Sequence, residues 1–421
     1  MFIDGQQRKL LMLLSLASFM NYTDRMVLPA VAQAVKQEFS LSDTTLGVLS
    51  GFVFVALYGI ASLPLATLAD RSSRSRVLAG ALAFWSVATG ACGLANSFLQ
   101  LAIARACVGI GESACQPIGY ALVSEQIPAE RRNVAMGWFL LGNNLGLVAG
   151  FAIGGWIGAH YGWRVAFLVV GLPCLLIAAA LAQFGTSAAL SQRRTPRVSL
   201  VDAALAQFSN PRYCALVLLS GVFAFTIFGP IAFLPAFFVR SHGLSIALVG
   251  PVSGLAIGLG MTVGVLIGGG AADRLAQRGA EQPQWLCAGA ILASGATFVL
   301  ALTLSNPWLA FAATFVACLF GSIASPIIAA AVQNESPEEV RAVSAAFGTL
   351  AVSLLGIGLA PLAIGMLSDS LAARYGNESL RHALILSLTV CVLVAAMHVT
   401  VGRMLRQACR EASMPSPWHQ H

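Results

Sequence analysis

Apolar residues run along this chain in long blocks. Twelve stretches of mostly apolar residues follow one another, at 10–32, 46–69, 77–95, 98–123, 133–158, 163–184, 213–238, 246–270, 285–304, 308–332, 342–367 and 382–402. A helix that crosses a bilayer needs roughly 20 such residues. The pattern therefore predicts an all-α membrane protein of twelve transmembrane helices. The longest polar stretch, 185–212, reads as a linker: Ser191, Gln192, Arg193, Arg194, Pro196 and Arg197 precede a weakly amphipathic piece around Val201 to Phe208 that suits the interface. No polar region remains that could house a soluble enzyme domain.

Composition agrees, with 57% hydrophobic and 10% charged residues, and the placement of charge adds an orientation. With the N-terminus inside, seventeen of the basic residues fall on the cytoplasmic side, among them Arg8, Lys9, Arg71 and Arg403, and five on the other, Lys36, Arg164, Arg240, Arg374 and Arg381. Cytoplasmic loops carry the excess of Lys and Arg, so both termini are expected in the cytoplasm. The formal charge of +7 is spread over short loops without a compact basic patch, so nucleic acid is not an expected partner. The first block follows Arg8 and Lys9 as a signal peptide would, but it carries Asp24-Arg25 in place of a small-residue cleavage site and leads into further spans. It reads as a retained helix.

Four charges fall inside the blocks: Asp24 and Arg25 in the first, Arg105 and Glu112 in the fourth. Charges at bilayer depth are costly and mark transport or coupling sites. Arg105 and Glu112 are seven residues apart, so they share a helix face about 10 Å apart along the axis. Counted from the cytoplasmic ends, Asp24 and Arg25 lie between them in depth. Pairings of Asp24 with Arg105 and of Arg25 with Glu112 are then open, and a carboxylate that can change partners suits proton coupling. The arginines equally suit a phosphate or carboxylate head group, through their fixed fork of donors. The alternative is a static lock between spans 1 and 4.

Other chemistries find little support. The nine cysteines are scattered without metal-ligand or disulfide spacing and read as packing residues. No glycine-rich loop with a trailing Lys-Ser or Lys-Thr is present for ATP. No nucleophile constellation supports a membrane-embedded enzyme, and a two-fold repeat suits alternating access better than a channel. Catalytic residues, metals and cofactors are not expected. The histidines, His398 included, fall near span ends or in the tail and read as interfacial. Gly142, Gly146, Gly150, Gly154, Gly155 and Gly158 in span 5, and Gly348, Gly356, Gly358 and Gly365 in span 11, read as close-packing stripes.

The chain also repeats itself. Leu68-Ala69-Asp70-Arg71-Ser72-Ser73-Arg74 after span 2 is echoed by Gly269-Gly270-Ala271-Ala272-Asp273-Arg274 after span 8. Pro128-Ala129-Glu130-Arg131-Arg132 after span 4 is echoed by Pro337-Glu338-Glu339-Val340-Arg341 after span 10. Two six-helix halves, 1–184 and 213–421 with its short tail, are expected around the 185–212 linker, the architecture of alternating-access carriers.

These loops, together with Arg105-Ala-Cys-Val-Gly109-Ile-Gly111, resemble the major facilitator superfamily. Asp70, Arg71 and Arg74 match its loop signature, with Ala66 and Ser73 in place of glycines. The second copy keeps Gly269 and Asp273-Arg274 but has Ala276 and Gln277 where a glycine and a basic residue are expected. Within that superfamily, Asn21-Tyr22-Thr23-Asp24-Arg25, Gly109-Ile110-Gly111-Glu112-Ser113-Ala114 and Tyr161-Gly162-Trp163-Arg164-Val165-Ala166-Phe167 are most similar to the spinster group, whose animal members move lysophospholipids or sphingosine phosphate. The resemblance implies two pseudo-symmetric six-helix halves, a bacterial inner (plasma) membrane location and a monomer. It implies a conformational lock at the cytoplasmic ends built from Asp70, Arg74, Glu130, Arg131, Arg132 and Asp273, with Asp70 capping a helix N-terminus of the opposite half.

The seventh span carries six phenylalanines around Pro230 and Pro235 and no central charge. The phenylalanines read as lipid-facing or core residues or as cavity wall; as cavity wall, with the arginines of the first half, they point to a small amphipathic substrate, anionic or zwitterionic, and the spinster resemblance implies a lysolipid. Tyr22, Gln116, Phe223 and Phe228 are the expected cavity wall, and protons the expected coupling ion. Uncoupled facilitation or lipid flipping, and export of another organic solute, are the alternatives.

Overall fold

The computed structural model describes residues 4–184, 207–279, 281–336 and 341–413. Among them every regular element is helical. Helix α1 (Gly5–Glu38) begins at a capping box, in which Asp4 accepts from the Gln7 N–H and the Gln7 side chain accepts from the Asp4 N–H. Then come α2 (Asp43–Gly47), a π-helical segment Val48–Phe52, α3 (Val53–Arg71), α4 (Arg74–Gly93), α5 (Phe98–Glu112), α6 (Cys115–Gln126), α7 (Ala129–Tyr161), α8 (Trp163–Gly171) and α9 (Cys174–Ala182). The second part of the chain holds α10 (Pro211–His242), α11 (Ile246–Ala276), α12 (Gln282–Thr303), α13 (Pro307–Ser322), α14 (Ala324–Asn334), α15 (Arg341–Ala351), a second π-helical segment Val352–Leu359, α16 (Ala360–Tyr375), α17 (Ser379–Ser387) and α18 (Val390–Ser413). Residues 185–206 of the expected linker lie outside the described residues.

Ten stretches among the described residues are long and apolar enough to cross a membrane. The expected first span is not one of them, because Asn21, Tyr22, Thr23, Asp24 and Arg25 interrupt its apolar run, although α1 at 34 residues has ample length. One stretch, Ala346–Ala408, runs through the tight turn at Gly376 (φ +53°) and so covers both of the last two expected spans. The fourth expected span breaks at Ser113–Ala114, immediately after Glu112, which ends α5.

The chain divides into two compact units, one of Met1–Pro196, Phe228–Gly258 and Ile357–Leu384, the other of Arg197–Ile227, Leu259–Gly356 and Ile385–His421. The first thus takes in segments of both expected halves. Its core gathers Leu14, Leu28, Trp85, Phe139 and Phe167, all buried. Its closest helix pair is α1 with α7, which run parallel in fixed register: Gly142 faces the Ser15 carbonyl, Gly146 that of Phe19, Gly150 that of Thr23, and Gly158 meets Val31. A Cβ at Gly146 would stand 2.2 Å from the Phe19 oxygen, so the approach requires glycine there. In the second unit α12 packs against α13, α14 and α18. There His398 is fully buried, with Nδ1 2.8 Å from Gln284 Oε1. This corrects the interfacial reading of that histidine: it lies inside the last span, on the face turned to α12.

Candidate functional site

Within the first unit, α1, α3, α4 and α5 bring the four intramembrane charges together. Asp24 and Arg25 are adjacent on α1 and point to different neighbours because successive helical residues are turned by about 100°. Arg25 Nε donates to Glu112 Oε2 at 2.6 Å. Arg105 Nη1 lies 3.5 Å from Asp24 Oδ1 without hydrogen-bond geometry, and Thr89 Oγ1 donates to the other Asp24 oxygen. Both pairings open to the sequence are present at once. Three of the four side chains are at most 2% exposed, and Arg25 is 11% exposed.

Aromatic rings complete the surroundings. The Arg25 guanidinium lies 5.3 Å from the Tyr22 ring centroid, 5.1 Å from that of Phe54 and 5.2 Å from that of Tyr58, and the Arg105 guanidinium lies 5.3 Å from Phe54. Rings stabilise a desolvated cation through their negative faces. Arg25 and Arg105 both border a small cavity of about 40 Å³, together with Tyr22, Met26, Pro29 and Phe228. Of the expected wall residues, Tyr22 and Phe228 line this cavity. Gln116 donates to Asn143 Oδ1 at 3.2 Å, and Phe223 is buried in the second unit. Polar valences remain open in the cluster: one oxygen each of Asp24, Glu112 and Gln116, Nη2 of Arg25, and Nε and Nη1 of Arg105 are buried without a hydrogen-bond partner. Buried polar atoms are rarely left so.

Thr89, Phe54 and Tyr58 were not among the residues singled out from sequence. Phe54 and Tyr58 stand four apart and so share a face of α3, and Thr89 is a lone hydroxyl in an apolar helix. Those signals are faint without a partner to point them at.

The residues expected to form the lock are less fully placed. Asp70 lies in the last turn of α3, Glu130 in the first turn of α7 and Asp273 near the end of α11, but their side chains lie outside the described residues. Arg74 forms an ion pair with Glu125 on α6, a partner the sequence did not suggest. Arg131 and Arg132 sit on the first turn of α7, exposed and partly buried respectively.

At the opposite end of the same unit lies a polar cluster that sequence reading missed. Arg240 on α10 grips Asp43 with both terminal nitrogens, at 2.8 and 2.7 Å, and its Nε donates to Gln33 at 2.8 Å. Lys36 and Ser368 also donate to Asp43. Asp369 on α16 accepts the backbone N–H groups of Asp43 and Thr44, at 2.9 and 2.8 Å, where the start of α2 presents free donors. Beside it Glu38 accepts from the Trp163 indole at 2.6 Å and from Arg164 at 2.7 Å, and these contacts hold its carboxyl below the usual carboxylate range.

A helical chain of this apolar length, with paired charges buried around a small internal cavity, is a membrane transporter by class. Residues 14–361 match the family model described as Major Facilitator Superfamily. The chain belongs to the major facilitator superfamily. It is 31% identical over 389 residues to an "MFS-type efflux pump" of Mycolicibacterium smegmatis, covering 91% of this chain and 90% of that protein. It is 26% identical to the "Sphingosine-1-phosphate transporter SPNS2" of Danio rerio, covering 90% of this chain and 81% of that one. Among solved structures it superposes on a bacterial homolog of the human lysosomal transporter spinster, in an inward-facing and unoccupied conformation. The TM-score is 0.85 at 24% identity, over 98% of this chain and 99% of that one.

Proposed function

We propose that this transporter is a secondary active carrier that couples proton movement to passage of a single-headed anionic or zwitterionic amphiphile by alternating access. The observation that carries the reading is the buried quartet. Two carboxylates and two guanidiniums sum to zero charge, so one proton on either carboxylate leaves an excess positive charge beside a cavity that both arginines border. That charge would release a guanidinium for an anionic head group, and loss of the proton would reclaim it. The name of the Danio rerio relative, a sphingosine-1-phosphate transporter, supports the lipid-like substrate class. In this reading the halves are 1–184 and 213–421 around the 185–212 linker, the protein works as a monomer in a bacterial inner membrane, and both termini lie in the cytoplasm. Asp70, with Arg74, Glu130, Arg131, Arg132 and Asp273, closes the cytoplasmic side when the other side opens.

The test is uptake of a fluorescent lysophospholipid into proteoliposomes under an imposed pH gradient, with Asp24→Asn and Glu112→Gln beside the wild type. Both variants should lose the response to the gradient while keeping substrate binding. A wild-type response in both correctly folded variants removes the carboxylates from coupling. A second reading, export of another organic solute, is favoured by the 31% identity to the mycobacterial efflux pump. Binding of a small polar solute in preference to any amphiphile would select it.

A further inference from the structure

An amphiphile needs room for its tail, and the cavity beside Arg25 and Arg105, at about 40 Å³, offers none. Ligand pockets run roughly 300–1,000 Å³. A groove of about 540 Å³ lies between the first turns of α1 and of α7, walled by Met12, Leu16, Phe19, Trp138 and Leu141, with Arg8 at one end. Met12 and Trp138 are more than half exposed along it. Exposed apolar residues on a membrane protein ordinarily face lipid, but this stripe continues into charge. Arg8, Met12, Ser15 and Phe19 recur at three- and four-residue spacing, and the same face of α1 goes on through Tyr22, Met26 and Pro29, which line the Arg25 cavity. One helix face therefore carries both the groove and the charged site.

Among the described residues that line the groove, Arg8 is the only charged one. Arg8 is exposed, and no carboxylate lies within ion-pair distance of it among the described residues. The nearest acid in sequence, Asp4, is occupied by the Gln7 N–H at 2.7 Å. From Arg8 to Phe19 is eleven residues, roughly 16 Å of helix, a length that matches one extended acyl chain lying along the groove.

We infer that the α1–α7 groove is a docking subsite for a single-chain anionic lipid, with its phosphate or carboxylate on Arg8 and its tail along Met12, Leu16 and Trp138 toward Phe19. The inference rests on the amphiphile reading above and adds where such a substrate is held before its head group reaches Arg25. Arginine at a helix end can reach the interface while its stem covers apolar surface, which places the head group and the tail at their natural depths in the bilayer.

The experiment photolabels the purified full chain in detergent with lysophosphatidylglycerol bearing a diazirine at the tail end, and maps the adducts by mass spectrometry. Adducts are expected on Phe19, Leu141 or Leu145. Arg8→Gln, a surface change that does not touch the core, should reduce labelling about tenfold, or 1.4 kcal/mol. It should leave labelling by a neutral monoacylglycerol probe of the same tail within about twofold. Ser15→Phe, which fills the groove, should displace both probes. Adducts elsewhere, or labelling by the anionic probe that Arg8→Gln leaves unchanged, overturn the inference. Labelling does not depend on transport, so the two readings fail separately. Groove adducts without lysolipid transport would sink the functional reading alone, and transport without groove adducts would sink the docking site alone.

Discussion

Glu112→Gln tests the buried quartet most directly. Glu112 is fully buried and its partner Arg25 only 11% exposed, so neutralising the acid strands a guanidinium that solvent barely reaches. Removing one partner of a buried ion pair costs about 3–5 kcal/mol, most of it the penalty of the uncompensated charge. The amide oxygen of glutamine can take the place of Oε2, 2.6 Å from Arg25 Nε, and keep a hydrogen bond of roughly 1 kcal/mol. A loss of about 2–4 kcal/mol in stability is expected. Neutralising the arginine as well removes the stranded charge, so Arg25→Gln combined with Glu112→Gln should be less destabilising than the sum of the single changes, by roughly 2 kcal/mol. Thermal unfolding of the three variants in one detergent measures the coupling, and proteoliposome uptake adds an independent readout. The double variant should regain stability but not the response to a pH gradient. Additive stability losses would refute the pairing as an energetic unit, and a double variant that recovers gradient-driven uptake would refute its role in coupling.

Arg105→Ala should abolish head-group-dependent binding, while shortening the tail of a bound lysolipid should weaken affinity by about 0.8 kcal/mol per buried CH₂, both read by ligand-displacement titration. Asp369→Ala removes two hydrogen bonds from backbone N–H groups to a carboxylate, about 1.5–3 kcal/mol each. Spin labels at the start of α2 and on α16 should then report a longer and broader distance distribution, and an unchanged one counts against the cluster as a clamp. Gly146→Leu, whose Cβ would stand 2.2 Å from the Phe19 carbonyl, should lower the unfolding temperature through an overpacking cost of at least 1–3 kcal/mol, whereas Gly137→Leu, which meets no neighbour within 4 Å, should not. The Glu38 carboxyl is held low by Trp163 and Arg164, so its contribution to stability is present above the ordinary glutamate value and is lost as pH falls through its lowered value. Carboxyl-carbon NMR should place its titration below about 4.3, the unperturbed value.

The helical architecture and the central quartet were legible because each rests on a signal that one segment carries alone. An apolar block declares a span, and a charge within it declares an exception. The spacing of Arg105 and Glu112 on one helix, with the depth of Asp24 and Arg25 on another, was enough to narrow the pairings to those observed. The polar cluster at Asp43 was not legible, for a physical reason. Asp43 opens α2 and Arg240 lies in the last turn of α10, where charge is cheap, Asp369 lies just past the expected span 342–367, and they meet across sequence separations of 197 and 326 residues. His398 was misread because its place near the end of a span says nothing of which way the side chain turns. The count of spans differed from that expected where a polar run sits inside α1 and where Gly376 turns the chain too tightly to separate two apolar stretches.

Rigidity around the quartet decides how it can respond to a proton. Helix α1 is fixed to α7 by backbone contacts at four-residue intervals, from Gly142 on Ser15 to Gly150 on Thr23, which stop it sliding past α7. Helix α5 is held as closely on two sides: a Cβ at Gly109 would stand 2.4 Å from the Phe54 carbonyl oxygen, and one at Gly111 2.6 Å from the Trp85 Cβ. A helix shift that would separate Asp24 from Arg105, or Arg25 from Glu112, must break such contacts, and packed interiors yield in discrete steps rather than continuously. A change of charge on either carboxylate is therefore met first by the side chains. Of the four, Arg25 has the most freedom, being the most exposed and bordered by three rings that stabilise a cation in more than one orientation. In the proposed coupling, the glycine stripes supply a rigid frame that directs the effect of protonation onto Arg25, the more exposed of the two guanidiniums bordering the cavity.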